Sequence, residues 1–245
     1  MSRVFRCNLH MHTCLSPCAE LDMYPEALVR EALACSLDII AISDHNASEN
    51  VRYVQSAARD TPLVIIPGME VATREEVHVL ALFEGLDELA SLQEFVYGRL
   101  QGVNDEDAFG CQAIVNEQGE VEGFNEHLLI GATDIPLNDV VETVHSLGGL
   151  AIASHIDRPA FGIIGQLGFV PDDIPFDALE ISWSLGIARA RQRYPELGRF
   201  PFITSSDAHY LKDIGKACTR MYLESPSFAE IRLALASRDG RYILE

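Results

Sequence analysis

The chain reads as an α/β protein of about seven short strands, with histidines and carboxylates collected at one end of the sheet. Three features of the sequence predict this. Short apolar, β-branched runs alternate with helix-like segments along most of its length; no glycine-rich dinucleotide turn follows the first run; and histidines and carboxylates recur just beyond successive runs. Strand–helix alternation implies a mostly parallel sheet covered by helices. At 245 residues one core is the default, so a single domain over 1–245 is expected. A closed or nearly closed barrel competes with an open doubly wound sheet, and the missing glycine-rich turn lowers the open option.

Strands are predicted over 4–9, 38–43, 63–67, 77–83, 150–154, 178–182 and 202–204, where buried-strand residues cluster. Helices are predicted over 25–35, 50–58, 87–100, 137–147, 187–193 and 228–237. The first of these carries Pro25 at a plausible first helical position, with Ala27, Leu28, Ala32 and Leu33 at helical spacing. Residues 102–123 are rich in Gly, Asn, Gln, Asp and Glu, which marks a polar insertion rather than a core layer. It either covers the site or is a solvated excursion.

The formal net charge is −19, from 37 acidic against 18 basic side chains. Such a field disfavours a long polyanion, so no long nucleic acid is expected as a partner. Small phosphates remain open, because bound metal ions can dominate the local charge. No run approaches a membrane span, and the start of the chain has no signal-peptide core, so no membrane and a cytoplasmic location are expected. The six scattered cysteines then read as reduced thiols. Cys14 and Cys18 could form half of a zinc site, but no second cysteine pair completes it.

The position of the titratable residues carries the functional argument. His10 and His12 follow the first strand, Asp44 and His45 the second, and Glu70 the third. His78 starts a strand; His155 and then Asp207 with His209 follow later ones. Parallel α/β barrels place their active sites at these C-terminal strand ends. In an extended His10-Met11-His12 both imidazoles share one face, and Asp207-Ala208-His209 repeats the spacing. Imidazoles and carboxylates crowded at one mouth call for a cation among them, and the set suits zinc, manganese or iron. His127 and His145 fall outside the pattern. Trp183, the only tryptophan, follows a strand end and is read as packing under the barrel rim, with stacking on a nucleobase as the alternative.

Leu9-His10-Met11-His12-Thr13, Ile42-Ser43-Asp44-His45-Asn46 and Pro67-Gly68-Met69-Glu70-Val71 resemble motifs of the polymerase-and-histidinol-phosphatase (PHP) family of metal-dependent phosphoesterases. So do Glu76-Val77-His78-Val79-Leu80, Ala153-Ser154-His155 and Ser205-Ser206-Asp207-Ala208-His209, in family order. The resemblance implies a distorted TIM-like (βα)7 barrel with two or three divalent ions (Zn, Mn or Fe). It makes His10, His12, Glu70 and Asp207 ligands of one ion or a bridged pair, with Glu70 as the bridge. His78 and His155 would hold a second ion, and His45 and His209 the remaining positions. Asp44 either binds metal or orients a ligand histidine. Where the family often has Ser-Asp-Gly, this chain reads Ser16-Pro17-Cys18, and either Glu20 or Asp22 replaces the aspartate or the position is vacant, which favours two ions over three. The loop after His155 also departs, reading Ile156-Asp157-Arg158-Pro159.

The implied activity is hydrolysis of a small phosphorylated metabolite, such as a nucleotide or a sugar or amino-alcohol phosphate. A water activated between the ions would attack phosphorus. Arg158 is the expected phosphate-binding cation, and Asp44, His209 or a metal-bound water the proton donor. A carbonyl hydrolase of the amidohydrolase type is a rival, although Lys212 and Lys216 are the only lysines and neither ends a strand. A nuclease-type module and a silent binding domain are further alternatives. Oligomeric state is left open.

Overall fold

The computed structural model describes residues 2–244. Strands β1 (Arg3–Asn8), β2 (Ile39–Ile42) and β3 (Val64–Ala72) run parallel, separated by helices α1 (Pro25–Ala34) and α2 (Val51–Ala58). Strand β4 (His78–Leu82) turns straight back, and helix α3 (Leu86–Tyr97) follows it. A short helix α4 (Glu106–Phe109) then precedes a hairpin, β5 (Ala113–Val115) and β6 (Val121–Phe124), which forms a separate two-stranded sheet. This is what the polar stretch 102–123 builds. Helix α5 (Leu137–Ser146), β7 (Leu150–Ala153), α6 (Ile163–Leu167), β8 (Ala178–Glu180), α7 (Ile187–Arg193) and β9 (Phe202–Ile203) complete the alternation. Strand β10 (Thr219–Leu223), helix α8 (Phe228–Leu235) and strand β11 (Tyr242–Leu244) follow.

The large sheet has nine strands in the order β11-β10-β1-β2-β3-β4-β7-β8-β9. Its last strand returns to the first: Asp207 N donates to His10 O at 3.0 Å, and His12 N donates to Ala208 O at 3.1 Å. The chain past β9 thus lies along the chain past β1, and the sheet from β1 to β9 curls into a nearly closed, distorted TIM-like barrel.

One strand departs from the parallel expectation. β4 is antiparallel to both neighbours, with Ala72 opposite His78 and Gly68 opposite Leu82. The connection after β3 is residues 73–77, too short for a crossover helix, so only a hairpin is available. Reversal puts the first residue of β4 at the same end as the last residues of the parallel strands. That is how His78, at a strand start, joins histidines that stand at strand ends.

Side chains alternate across the barrel wall. Ile39, Ala41, Ile66, Leu80, Leu82, Leu150, Ile152, Ala178 and Ile203 share one buried cluster inside the barrel, into which α8 inserts Phe228, Ile231 and Leu235. Ile40, Ile42, Met69, Val79, Ala81, Ala151 and Ala153 face the outer helices. Each fully buried aliphatic contributes about 1.5–3 kcal/mol. By the same alternation Glu70 lies on the face of Ile66, and Glu180 on that of Ala178: both carboxylates point inward. Gly68 keeps that face open, since a Cβ there would stand 2.8 Å from Leu82 Cδ2 and 2.9 Å from Ile42 O.

Candidate metal centre

Six imidazoles and four carboxylates gather where the barrel strands end. His10, His12, Glu70, Asp44, His45, His78, His155 and Glu180 are buried, and His209 is partly exposed at the mouth. His10 and His12 bring their Nε2 atoms to 3.2 Å. Asp207 Oδ1 is 3.3 Å from His10 Nε2 and 3.1 Å from His12 Nε2. Glu70 completes the group, with Oε1 3.3 Å from His10 Nε2 and Oε2 3.6 Å from His12 Nε2. On its other side Glu70 meets His45 Nδ1 at 3.1 Å, His78 Nδ1 at 3.1 Å and His155 Nε2 at 3.3 Å.

These separations match the edges of a coordination polyhedron. Ion–nitrogen and ion–oxygen bonds of about 2.0–2.2 Å at tetrahedral angles put ligand atoms about 3.3–3.6 Å apart. Although five ring nitrogens surround it, neither oxygen of buried Glu70 has a hydrogen-bond partner by donor–acceptor geometry, and His78 Nδ1 has none either. An orphaned buried carboxylate is costly unless something compensates it. Donor types, spacing and orphaned atoms all fit divalent ions, with Glu70 between His10/His12 and His45/His78.

The surroundings fix the tautomers. His10 Nδ1–H donates to Glu180 Oε2 at 2.8 Å, which also accepts His155 N at 3.1 Å. This leaves the His10 Nε2 lone pair for an ion. Asp44 accepts from Thr13 N, Thr13 Oγ1 and Ser16 Oγ, each at 2.7 Å. Since the Ser16 proton goes to Asp44, His12 Nδ1–H donates to Ser16 Oγ at 3.0 Å, and the His12 Nε2 lone pair too faces the cluster. Both oxygens of Asp44 are thus engaged in holding the loop that orients His12.

Electrostatics divide the group. Burial alone would raise the carboxyls of Glu70 and Asp207, but the imidazoles around them, His10 among them, hold both well below the usual range. Burial opposes a proton on His10, yet Glu180, Glu70 and Asp207 push it well above its ordinary value. His45, likewise opposed by burial, is raised to about 10 through Cys18 and Glu70. His12 is held well below by burial and by His209 and His45. Ionised carboxylates are thus balanced by shared protons, which divalent ions displace on binding.

Backbone strain collects here. His155, Asp207 and Phe161 have φ of 28°, 49° and 62°. Non-glycine residues hold such angles, at about 1–3 kcal/mol each, only where their neighbours impose them. Asp207 N is tied to His10 O, and His155 N to Glu180. Phe161 accepts His78 N at 3.0 Å through its carbonyl and stacks on the His78 ring at 4.5 Å.

A cavity of about 220 Å³ opens onto the group, lined by Cys18, His45, Glu70, His78, Ile130, His155, Arg158, Phe161, Asp207 and His209. Arg158 Nη1 contacts Asp207 Oδ2 at its rim, and is not tied up with Asp157, which accepts from Ser182. His127 stacks on Tyr97 and His145 pairs with Asp177, both away from the cluster. Cys14 and Cys18 do not pair: Cys14 is buried against Ala113 O, whereas Cys18 lines the cavity. Trp183 is 46% exposed beneath Lys216 rather than packed under the rim, as its strand stops at Glu180.

Sequence reasoning missed Glu180 and the orienting contact of Ser16 with His12. Glu180 carried a readable signal, a lone carboxylate facing inward from an apolar strand.

Comparison with known proteins adds the following. A family model described as PHP-associated matches residues 188–239. The uncharacterized protein YqxK of Bacillus subtilis (strain 168) is 36% identical over 106 residues, 41% of this chain but only 27% of that protein's length. Among solved structures, the lesion-specific endonuclease PfuEndoQ of Pyrococcus furiosus superposes with a TM-score of 0.76 at 19% identity, covering 98% of this chain and 58% of that one. An Endonuclease Q complex with a 27-mer duplex substrate, its abasic lesion at the active site, gives 0.74 at 18% identity, covering 98% and 58%. A presumed metal-dependent phosphoesterase of Bifidobacterium adolescentis gives 0.61 at 16% identity, covering 94% and 95%.

The duplex complex overturns the exclusion of long nucleic acid drawn from net charge. Endonuclease Q, 58% of whose length matches nearly all of this chain, is seen with a DNA duplex substrate. The physical reason is range: screening limits the field to about 8 Å at physiological salt, so charge near the mouth outweighs the total. The ordered histidine and carboxylate motifs thus resemble those of the PHP family, a PHP-associated model matches the C-terminal segment, and the barrel fold is shared with the endonuclease and phosphoesterase structures.

Proposed function

We propose that this chain hydrolyses phosphate esters with two or three divalent ions, acting on a small phosphorylated substrate whose phosphoryl group enters the cavity. The observation that carries the reading is Glu70: a buried carboxylate with both oxygens unpartnered among five imidazoles. His10, His12, Glu70 and Asp207 are assigned to one ion, His78 and His155 with Glu70 to a second, and His45 with His209 to the remaining position. Zinc, manganese or iron bound there supplies a nucleophilic water near neutral pH and neutralises phosphoryl oxygens.

The chain's own groups do the rest. Arg158, at the rim, can exchange Asp207 for a phosphoryl oxygen and hold the substrate in a fixed orientation. Glu180 and the Asp44–Ser16 pair hold His10 and His12 in the tautomer that presents Nε2 inward. Asp44 is assigned to that positioning task and not to proton donation, because its oxygens are occupied. His209 is kept as a ligand: its Nδ1–H donates to Asp207 O at 2.9 Å, leaving Nε2 free. Among the described residues no lysine lines the cavity, which favours phosphate chemistry over a lysine-bridged amidohydrolase centre.

A second reading, cleavage of a phosphodiester in DNA, is favoured by the fold match to Endonuclease Q and by exposed aromatics on the strand-end loops. Phe161, Trp183 and Tyr210 are 41–46% exposed, and the chain's two lysines stand over the last two rings. Aromatic faces beside cations suit bases and their phosphates. The test is one metal-loaded batch assayed on p-nitrophenyl phosphate, bis-(p-nitrophenyl) phosphate and a duplex bearing one abasic site. Chelator-sensitive turnover of the monoester supports the first reading, and turnover confined to the duplex the second. No turnover of any of them, at full metal content, contradicts both.

A further inference from the structure

We infer that Phe161 and Ile130 form an apolar slot for the leaving group, so that the site selects phosphate esters whose alcohol carries a flat ring close to phosphorus. The inference rests on the phosphoesterase reading above and names the side of the substrate that the ions do not hold.

Among the described residues ten line the cavity; eight of them are histidines, carboxylates, Arg158 or Cys18, and Phe161 and Ile130 are the two apolar ones. They come from different loops, each fastened to the centre. His155, Arg158 and Phe161 follow one another on a single coil after β7. Arg158 N donates to His155 O at 2.9 Å. Gly162 lets the coil close, since a Cβ there would stand 2.5 Å from Arg158 O and 2.7 Å from His155 O. Phe161 is held at φ 62°, its carbonyl accepting from His78 N at 3.0 Å. One face of its ring lies on His78, with 4.5 Å between centroids and 13° between planes. The residue is nonetheless 41% exposed, which leaves its edge and free face to the cavity.

Ile130 arrives on the segment that follows the hairpin of the polar insertion. The carbonyls on either side of it, Leu129 O and Gly131 O, both accept from Asn46 Nδ2 at 2.9 Å. Asn46 is fully buried beside His45. Its N donates to Glu70 O at 2.9 Å, and its Oδ1 accepts from Ala72 N at 3.0 Å. One amide thus ties the chain leaving the insertion to the strand that bears Glu70. A phosphoryl group drawn to the ions and to Arg158 leaves its ester substituent beside these two side chains. A polyol there would give up water without gaining a hydrogen-bond partner from them, whereas an aromatic ring gains stacking and apolar contact. The cavity volume of about 220 Å³ is below the roughly 300–1,000 Å³ of sites that enclose drug-sized ligands, which suits one ring with its phosphate.

The test is calorimetric titration of the metal-loaded full chain with phenylphosphonate and methylphosphonate, which bind without turnover, with metal counted on the same batch. Wild-type protein should bind the phenyl compound at least about tenfold more tightly, within the range that one stacked ring contributes. Phe161→Ala and Ile130→Ala should each reduce that ratio by at least about threefold, and Phe161→Tyr should keep it. A Phe161 that only braces His78 would weaken both ligands alike. Ile130→Ala leaves the His78 stack in place and decides the matter if Phe161→Ala fails to fold or to hold metal. Equal affinities in wild type, or a ratio that survives in either folded, metal-loaded alanine variant, overturns the inference and leaves the phosphoesterase reading intact. Binding of neither phosphonate at full metal content overturns both.

Discussion

Glu180→Gln offers the sharpest look at how the barrel prepares its ligands. Glu180 is 2% exposed, and one oxygen accepts both His10 Nδ1–H at 2.8 Å and His155 N–H at 3.1 Å. Glutamine keeps the volume and can keep one oxygen in place, but removes the charge. Hydrogen bonds to charged groups contribute about 1.5–3 kcal/mol against about 0.5–1.5 for neutral ones, so two such bonds lose about 2–3 kcal/mol together. Loss of a carboxylate behind a ligand histidine weakens metal affinity about 10- to 100-fold, or about 1.4–2.7 kcal/mol, in agreement. Alanine would instead strand two buried donors and cost about 2–6 kcal/mol of folding, a large share of a typical 5–15. Glutamine is therefore the informative variant. Chelator competition, with metal counted by mass spectrometry, should show the 10- to 100-fold loss while circular dichroism stays native. Wild-type affinity in a folded Glu180→Gln protein would refute the positioning role.

Arg158→Ala should lower kcat/KM for a phosphate ester by about tenfold or more, since a bidentate charge-assisted contact is removed, with metal content unchanged. Steady-state kinetics and metal counting on one batch check this; unaltered kinetics would remove Arg158 from the site. Gly68→Ala places a methyl against Leu82 and the Ile42 carbonyl on the strand that bears Glu70. Overpacking of that kind costs about 1–3 kcal/mol, so melting should fall by roughly 2–12 °C, with weakened metal binding. Chelator treatment should itself lower the melting temperature of the loaded protein. Ions at 100 times their dissociation constant contribute about 2.7 kcal/mol, or about 5–11 °C at this size, and calorimetry reads the difference directly.

Much of this architecture was legible because its signals are local. The apolar runs at 38–43 and 150–154 became β2 and β7 within a residue or two, and helix 187–193 became α7 as read. The histidine motifs converge because strand ends of one sheet converge, and periodicity reports strand ends. The hidden parts depended on direction and distance in space. Nothing in 77–83 announces that β4 runs backwards, although the brevity of 73–77 could have said so. Strand β10 was missed because it alternates Thr219, Met221 and Leu223 inward with Arg220 outward and is not uniformly apolar. Cys14 and Cys18 were set aside as a zinc pair for want of a second cysteine pair, and the fold separates them, Cys14 buried against Ala113 O and Cys18 on the cavity wall. Glu180 lies in a three-residue strand whose inward face only the barrel defines. The global charge misled about nucleic acid because a sum over the surface carries no information about the mouth.

The central claim is that Glu70 bridges ions held by histidines from separate strands. Anomalous diffraction from crystals grown with zinc tests it directly. The account predicts two or three peaks, one bounded by His10, His12, Glu70 and Asp207 and another by Glu70, His78 and His155, each about 2.0–2.3 Å from its ligand atoms. Peaks confined to surface carboxylates, with Glu70 hydrogen-bonded to protonated imidazoles and no ion beside it, would contradict it.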